Sequence, residues 1–136
     1  MTDTIKEHKV KLLFKVVESI TGIKKKELCG KVRKKEYAMP RNIIGYILNK
    51  ELEINLMTSG GLIGRDHSTI LYYTRVFDSN MRFYKEFRDL YLLVSETFWN
   101  QIMEADVEDI TLEVKHLQNL INKLEEKKSK LINLTK

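Results

Sequence analysis

The stretch "GRDHSTILYY", residues 64–73, decides how this chain is read. A glycine-bearing turn, Ile63-Gly64-Arg65, leads into polar residues at the head of an apolar-periodic segment. That combination predicts a helix over 66–77. Ahead of the turn, residues 56–62 have the length of a short helix, weakened by Gly60-Gly61 at about 1 kcal/mol per glycine relative to alanine. A short helix, a tight turn and a second helix with a polar opening form the pattern of a helix-turn-helix. In that motif the second helix enters the DNA major groove with its first turn on the base edges. The chain is basic, with a formal net charge of +5, which favours an acidic partner such as nucleic acid. A carboxylate, Asp66, at the head of that helix therefore needs a reason.

Length and composition narrow the setting. The chain has 136 residues, a hydrophobic fraction of 43% and a charged fraction of 32%, with one proline and six glycines. These values fit a mostly helical protein of one domain, or one domain with an extension. Cys29 is the single cysteine, so an intramolecular disulfide is excluded and a reducing cytoplasm is the expected compartment. No apolar run reaches the roughly 18–20 residues of a membrane span, and the N-terminus lacks a signal-peptide apolar region. Charge is uneven: residues 24–41 hold eight basic and two acidic side chains, whereas residues 96–136 are net acidic.

The expected class is all-α. Residues 5–20 carry a helical stripe of Leu12, Leu13, Val16, Val17 and Ile20, closed by Thr21-Gly22. A helical turn follows at 24–29, then a basic loop over 31–38. Pro40 suits the first position of the next helix, where its missing N–H costs nothing. Ile43, Ile44, Ile47, Leu48 and Leu52 form that helix's buried stripe. Asp78-Ser79-Asn80 is expected to break the helix begun at 66. From there to residue 134 neither proline nor glycine interrupts, so a long C-terminal helix is predicted. The expected division is a helix-turn-helix domain over 1–95 and a helical extension over 96–136.

Asp66 has two readings. It can accept from the cytosine amino group, the only major-groove donor on a G·C pair, and so penalise wrong bases while adding little affinity. It can also be an N-cap for the helix. The two roles are compatible. Thr69 can offer its methyl to thymine, and His67 can reach the same depth. Asp66, Thr69 and Tyr73 share a helix face, and Tyr73, Arg65 and Ser68 are candidates for contacts to the DNA backbone. One of Tyr72 and Tyr73 is expected to face the core. Affinity must then come from Arg33, Lys34, Lys35 and Arg41. Catalysis is not expected: Asp66, His67 and Ser68 are neighbours on one turn and cannot form a triad. The three histidines and Cys29 lack metal-ligand spacing, and no cofactor is implied.

"GRDHSTIL" resembles the signature of the C-terminal DNA-binding domain of the DnaA family, the bacterial chromosomal replication initiators. "IKKKEL" (23–28) and "KVRKKEYAMPRN" (31–42) resemble the stretches that precede it in that family, so the likeness covers about residues 10–94. The resemblance implies an all-helical domain on a short duplex box. It implies base contacts from Asp66, His67 and Thr69, a minor-groove contact from Arg33, and phosphate contacts from Arg41 and Asn42, with Ser68 at the backbone. Where the family usually has two glycines before Arg-Asp-His, this chain has Ile63-Gly64. The family's ATPase motif, G-x-x-x-x-G-K-[ST], is absent from these residues.

The extension repeats every seven residues. Met103, Ile110, Leu117, Leu124 and Leu131 form one position, and Val107, Val114, Ile121, Lys128 and Thr135 the other. Branched residues at a with leucine at d favour a parallel coiled-coil homodimer, roughly 50 Å long if fully helical. The alternative is a helix folding back on its own domain. The functional expectation is sequence-specific binding of double-stranded DNA, in replication initiation or its control, with replication proteins as further partners. The competing class is a scaffolding protein in which the tail does the main work and the DNA face is vestigial.

Overall fold

A computed structural model describes residues 3–32 and 34–134, and every regular element among them is helical. The order is α1 (Asp3–Thr21), α2 (Lys25–Cys29), α3 (Lys35–Tyr46) continued by a π-helical turn (Ile47–Glu51), α4 (Leu56–Leu62), α5 (His67–Phe83) and α6 (Lys85–Leu134). The chain divides into two units, Met1–Trp99 and Asn100–Lys136. The division falls after Trp99 because the first turns of α6 supply core residues: Phe87, Val94 and Phe98 are buried with the rest of the first unit.

The core of that unit follows the apolar stripes. Leu13, Val16 and Val17 of α1 are buried, as are Ile43, Ile44, Ile47, Leu48 and Leu52. Thr21 and Gly22 end α1. The Thr21 hydroxyl returns to the Val17 carbonyl and also accepts the Ile23 N–H. Gly22 takes the left-handed conformation, φ +75°, which costs glycine little.

Two element boundaries differ from the sequence reading. Pro40 lies inside α3 and is not its first residue. The helix starts at Lys35 because Tyr37 is buried and its hydroxyl donates to Glu27 Oε2 at 2.6 Å. This contact draws 35–39 into helix and leaves proline's missing bond near the N-terminal end. Likewise Asp78-Ser79-Asn80 does not stop α5, which runs to Phe83. Phe77 stacks on Tyr46 with centroids 3.6 Å apart, while Phe87 and Tyr91 meet it edge-on. Those aromatic contacts hold the helix through its polar residues, and Asp78 and Ser79 simply face water. The chain breaks at Tyr84. Glu51, closing the π-helical turn, accepts from the Tyr91 hydroxyl at 2.9 Å and the Trp99 indole at 2.7 Å, joining α3's continuation to the start of α6.

Candidate nucleic-acid interface

α4, the turn and α5 pack as a unit whose geometry depends on two glycines. Asn55 caps α4 by accepting the Thr58 N–H at 2.8 Å. A Cβ on Gly60 would lie 2.5 Å from the Arg65 carbonyl oxygen, and the Arg65 N–H donates to the Gly60 carbonyl at 2.8 Å. Gly64 combines φ +67° with a carbonyl, that of Cys29, 2.5 Å from where its Cβ would be. Between them Ile63 is fully buried, so the side chain standing where the family usually has glycine anchors the turn to the core. The recognition helix is thereby held by backbone-to-backbone contact on one side and by an isoleucine on the other.

The first turn of α5 is open to solvent: Asp66, His67 and Ser68 are exposed and Thr69 is half-buried. Asp66 occupies the N-cap position in extended conformation, with no side-chain capping hydrogen bond. One oxygen accepts the Ser68 hydroxyl at 2.7 Å and the other lies 3.0 Å from His67 Nδ1. The Ser68 hydrogen bond chiefly, and the neighbouring imidazole after it, hold its carboxyl below the usual range. Three polar side chains thus form a small network on the helix surface, with the acceptor in a fixed orientation. One tyrosine of the pair faces the core, as expected, but it is Tyr73, the one read as a DNA-backbone contact, which requires a correction. Tyr73 packs over Gly45 of α3, and burial pushes its hydroxyl pKa up. Tyr72 is 57% exposed.

The cationic candidates separate into two groups. Lys34 and Lys35, at the head of α3, are exposed, and the Lys34 ammonium lies 5.8 Å from the Tyr37 ring centroid. Arg33 lies outside the described residues. Arg41 requires a correction: it is buried, and its guanidinium donates to the carbonyls of Leu28 (2.6 Å), Val32 (3.0 Å), Glu27 and Gly30 (both 3.3 Å). It closes the C-terminal end of α2, where most carbonyls have no intrahelical partner, and is not placed to grip phosphate. Burial, and then the charge of Arg65, lower its pKa. Half-buried Arg65 donates to the same Gly30 carbonyl at 2.9 Å, which ties the recognition turn to the base of the basic loop. Asn42 is also displaced from the expected surface. It lines a groove with Met39, Asn80, Phe83 and Tyr84, at the far end of α5 from Asp66.

The sequence reading named Tyr73 as a contact in place of Tyr72 and did not single out Arg75. Tyr72 and Arg75 are exposed and continue the α5 face at i+4 and i+7 from Ser68. The i, i+4, i+7 spacing contains them, but only the packing of Tyr73 against Gly45 decides which tyrosine is outside. Among the described residues no group of His, Cys, Asp or Glu is arranged to hold a metal, and no helix is long and apolar enough to cross a membrane. The Cys29 thiol donates to the Leu62 carbonyl at 3.3 Å, and burial raises its pKa, which makes it a poor nucleophile.

Comparison with known proteins agrees with this geometry. Residues 10–76 match the family model described as the bacterial dnaA protein helix-turn-helix. Chromosomal replication initiator proteins DnaA are similar over the same region. That of Herpetosiphon aurantiacus is 31% identical over 68 residues, covering 48% of this chain and 14% of the relative. That of Tropheryma whipplei is 37% identical over 68 residues, covering 49% and 14%. That of Thermus thermophilus is 42% identical over 52 residues, covering 38% and 12%. The chain therefore spans about one-seventh of the length of these relatives, and the stretch that matches ends before the long tail. Residues 10–76 are a DnaA-type helix-turn-helix domain.

Proposed function

We propose that this chain binds double-stranded DNA in a sequence-specific manner, with α5 in the major groove, and acts in replication initiation or its control. The observation that carries this reading is the exposed Asp66-His67-Ser68 network opening a helix-turn-helix recognition helix. A carboxylate whose orientation is held by Ser68 and His67 is suited to accept a cytosine amino group. Thr69 and His67 supply the neighbouring contacts. Lys34, Lys35 and Arg33 are assigned the phosphate and minor-groove contacts, since Arg41 is committed to α2. Occupancy of initiator boxes, to recruit or to block, is the role that fits this helix-turn-helix unit. The exposed apolar seam of the tail supports a homodimer, which gains avidity on paired boxes.

The test is selection of bound duplexes from a random pool, followed by salt titration on the enriched sequence. Binding should weaken steeply, log K falling by about 0.9 per phosphate neutralised. Lys35→Ala should weaken all duplexes and flatten that slope by about one contact. The same apolar seam also favours the scaffolding alternative. In that case no sequence would be enriched and DNA binding would be weak and sequence-blind.

A further inference from the structure

The tail carries a charge pattern that the heptad reading alone does not use. Glu104, Asp106, Glu108, Asp109 and Glu113 occupy its first half, with no Lys or Arg until Lys115. Lys115, Lys123, Lys127, Lys128 and Lys130 dominate its second half, against Glu125 and Glu126. All of these are exposed, as is the apolar seam: Val107 is 61% exposed, Val114 58%, Leu124 64% and Leu131 63%. The helix is acidic at one end and basic at the other, with an apolar face along its length.

We propose that this face pairs with a second copy of the chain running in the opposite direction. The inference rests on the homodimer reading above and specifies its orientation, against the parallel arrangement that the a and d residue types favour. In a parallel pair the two acidic halves lie side by side and so do the two basic halves. Lys128 then meets Lys128 of the other copy in the same a layer. The g-to-e′ pairs would be Asp106–Thr111, Glu113–Gln118, Leu120–Glu125 and Lys127–Ile132, none of them oppositely charged. Since e and g charges set orientation in coiled coils, nothing there selects the parallel form.

The antiparallel pair reverses each of these points. Set Val114 against Leu124 of the other copy, and Val107 falls opposite Leu131 and Leu117 opposite Ile121, so branched a residues meet leucine or isoleucine layers. Glu113 then faces Lys127 across the g–g′ edge, twice by symmetry. Leu120 meets its own copy at the dyad, which explains an apolar residue at a g position. Lys128 lies opposite Ile110, where its aliphatic stem can pack while its ammonium reaches the acidic half of the other chain. Two DNA-binding domains would then be attached at opposite ends of the coil.

The experiment uses the full chain with Cys29→Ser. Val114→Cys and Leu124→Cys proteins are mixed, allowed to exchange and oxidised. The expected product is the mixed 114–124 disulfide dimer, with little self-linking of either protein. As a second measurement, Glu113→Lys and Lys127→Glu singly should each raise the dimer dissociation constant roughly 5-fold, because two surface pairs become repulsive. The Glu113→Lys/Lys127→Glu double variant should recover the original value. A dimer that self-links at 114 and at 124, forms neither disulfide, or shows no charge-swap recovery overturns the orientation while leaving the homodimer intact. A monomer by light scattering overturns both, and salt-dependent duplex binding reports separately on the DNA reading.

Discussion

Asp66 sets a carboxylate at the head of the helix proposed to enter the major groove. Its N-cap position invites the capping reading, yet it makes no side-chain capping hydrogen bond, and its oxygens are engaged chiefly by the Ser68 hydroxyl and the His67 ring. Asp66→Ala should therefore change thermal stability little, where loss of a true cap costs about 0.5–2 kcal/mol. It should instead remove ~1–3 kcal/mol of discrimination at one base pair. Melting curves together with competition binding against single-base variants of the selected duplex measure both effects. Tyr91 makes a different argument. Burial, and the neighbouring Glu51 charge after it, push its hydroxyl pKa up to about 12 from an ordinary 10.0. A proton held more tightly in the folded state than in the unfolded one stabilises fully below pH 10. That stability drains away as pH rises through about 12. Tyr91→Phe should cost roughly 1 kcal/mol at neutral pH through the lost Glu51 bond. It should also flatten part of the alkaline fall in the urea midpoint between pH 10 and 12. Tyr46 and Tyr73, also raised by burial, keep the remainder.

The helices themselves were legible where periodicity is strong. The stripe Ile43, Ile44, Ile47, Leu48 and Leu52 is buried throughout, and the α4–turn–α5 signal lies where glycine and polar residues mark it. What periodicity cannot report is a contact made in three dimensions. The start of α3 depends on Tyr37 finding Glu27, and the continuation of α5 on Phe77 finding Tyr46. Arg41 was legible as a cation but not as the closure of α2, because its four carbonyl partners lie 9–14 residues away along the chain. The glycine pair in α4 is a similar case. Helix propensity treats Gly60 and Gly61 alike, but only Gly60 is pressed against backbone, while a Cβ on Gly61 meets nothing within 4 Å. Gly61→Ala should stabilise by up to about 1 kcal/mol. Gly60→Ala should destabilise by about 1–3 kcal/mol through the forced shift of the recognition turn. Chemical denaturation of the two variants separates them by sign.

The chain joins a DnaA-type helical unit to a tail whose apolar seam faces water, and the two can be perturbed independently. Substituting Ile121 and Leu124 with aspartate should yield monomers with an unchanged first unit. Binding to a single duplex box should persist, while the avidity on paired boxes, of order 10²–10⁴-fold, should disappear. Light scattering and binding to one-box and two-box duplexes check this. The Glu51 clamp gives such experiments a label-free readout. Trp99 is the only tryptophan in the sequence, and its indole N–H donates to Oε1 of the Glu51 carboxylate, whose other oxygen accepts from the Tyr91 hydroxyl. Its fluorescence emission therefore reports on one docking event, the seating of α6 on the π-helical turn. Glu51→Gln, by weakening that bond, calibrates the spectrum of the released state.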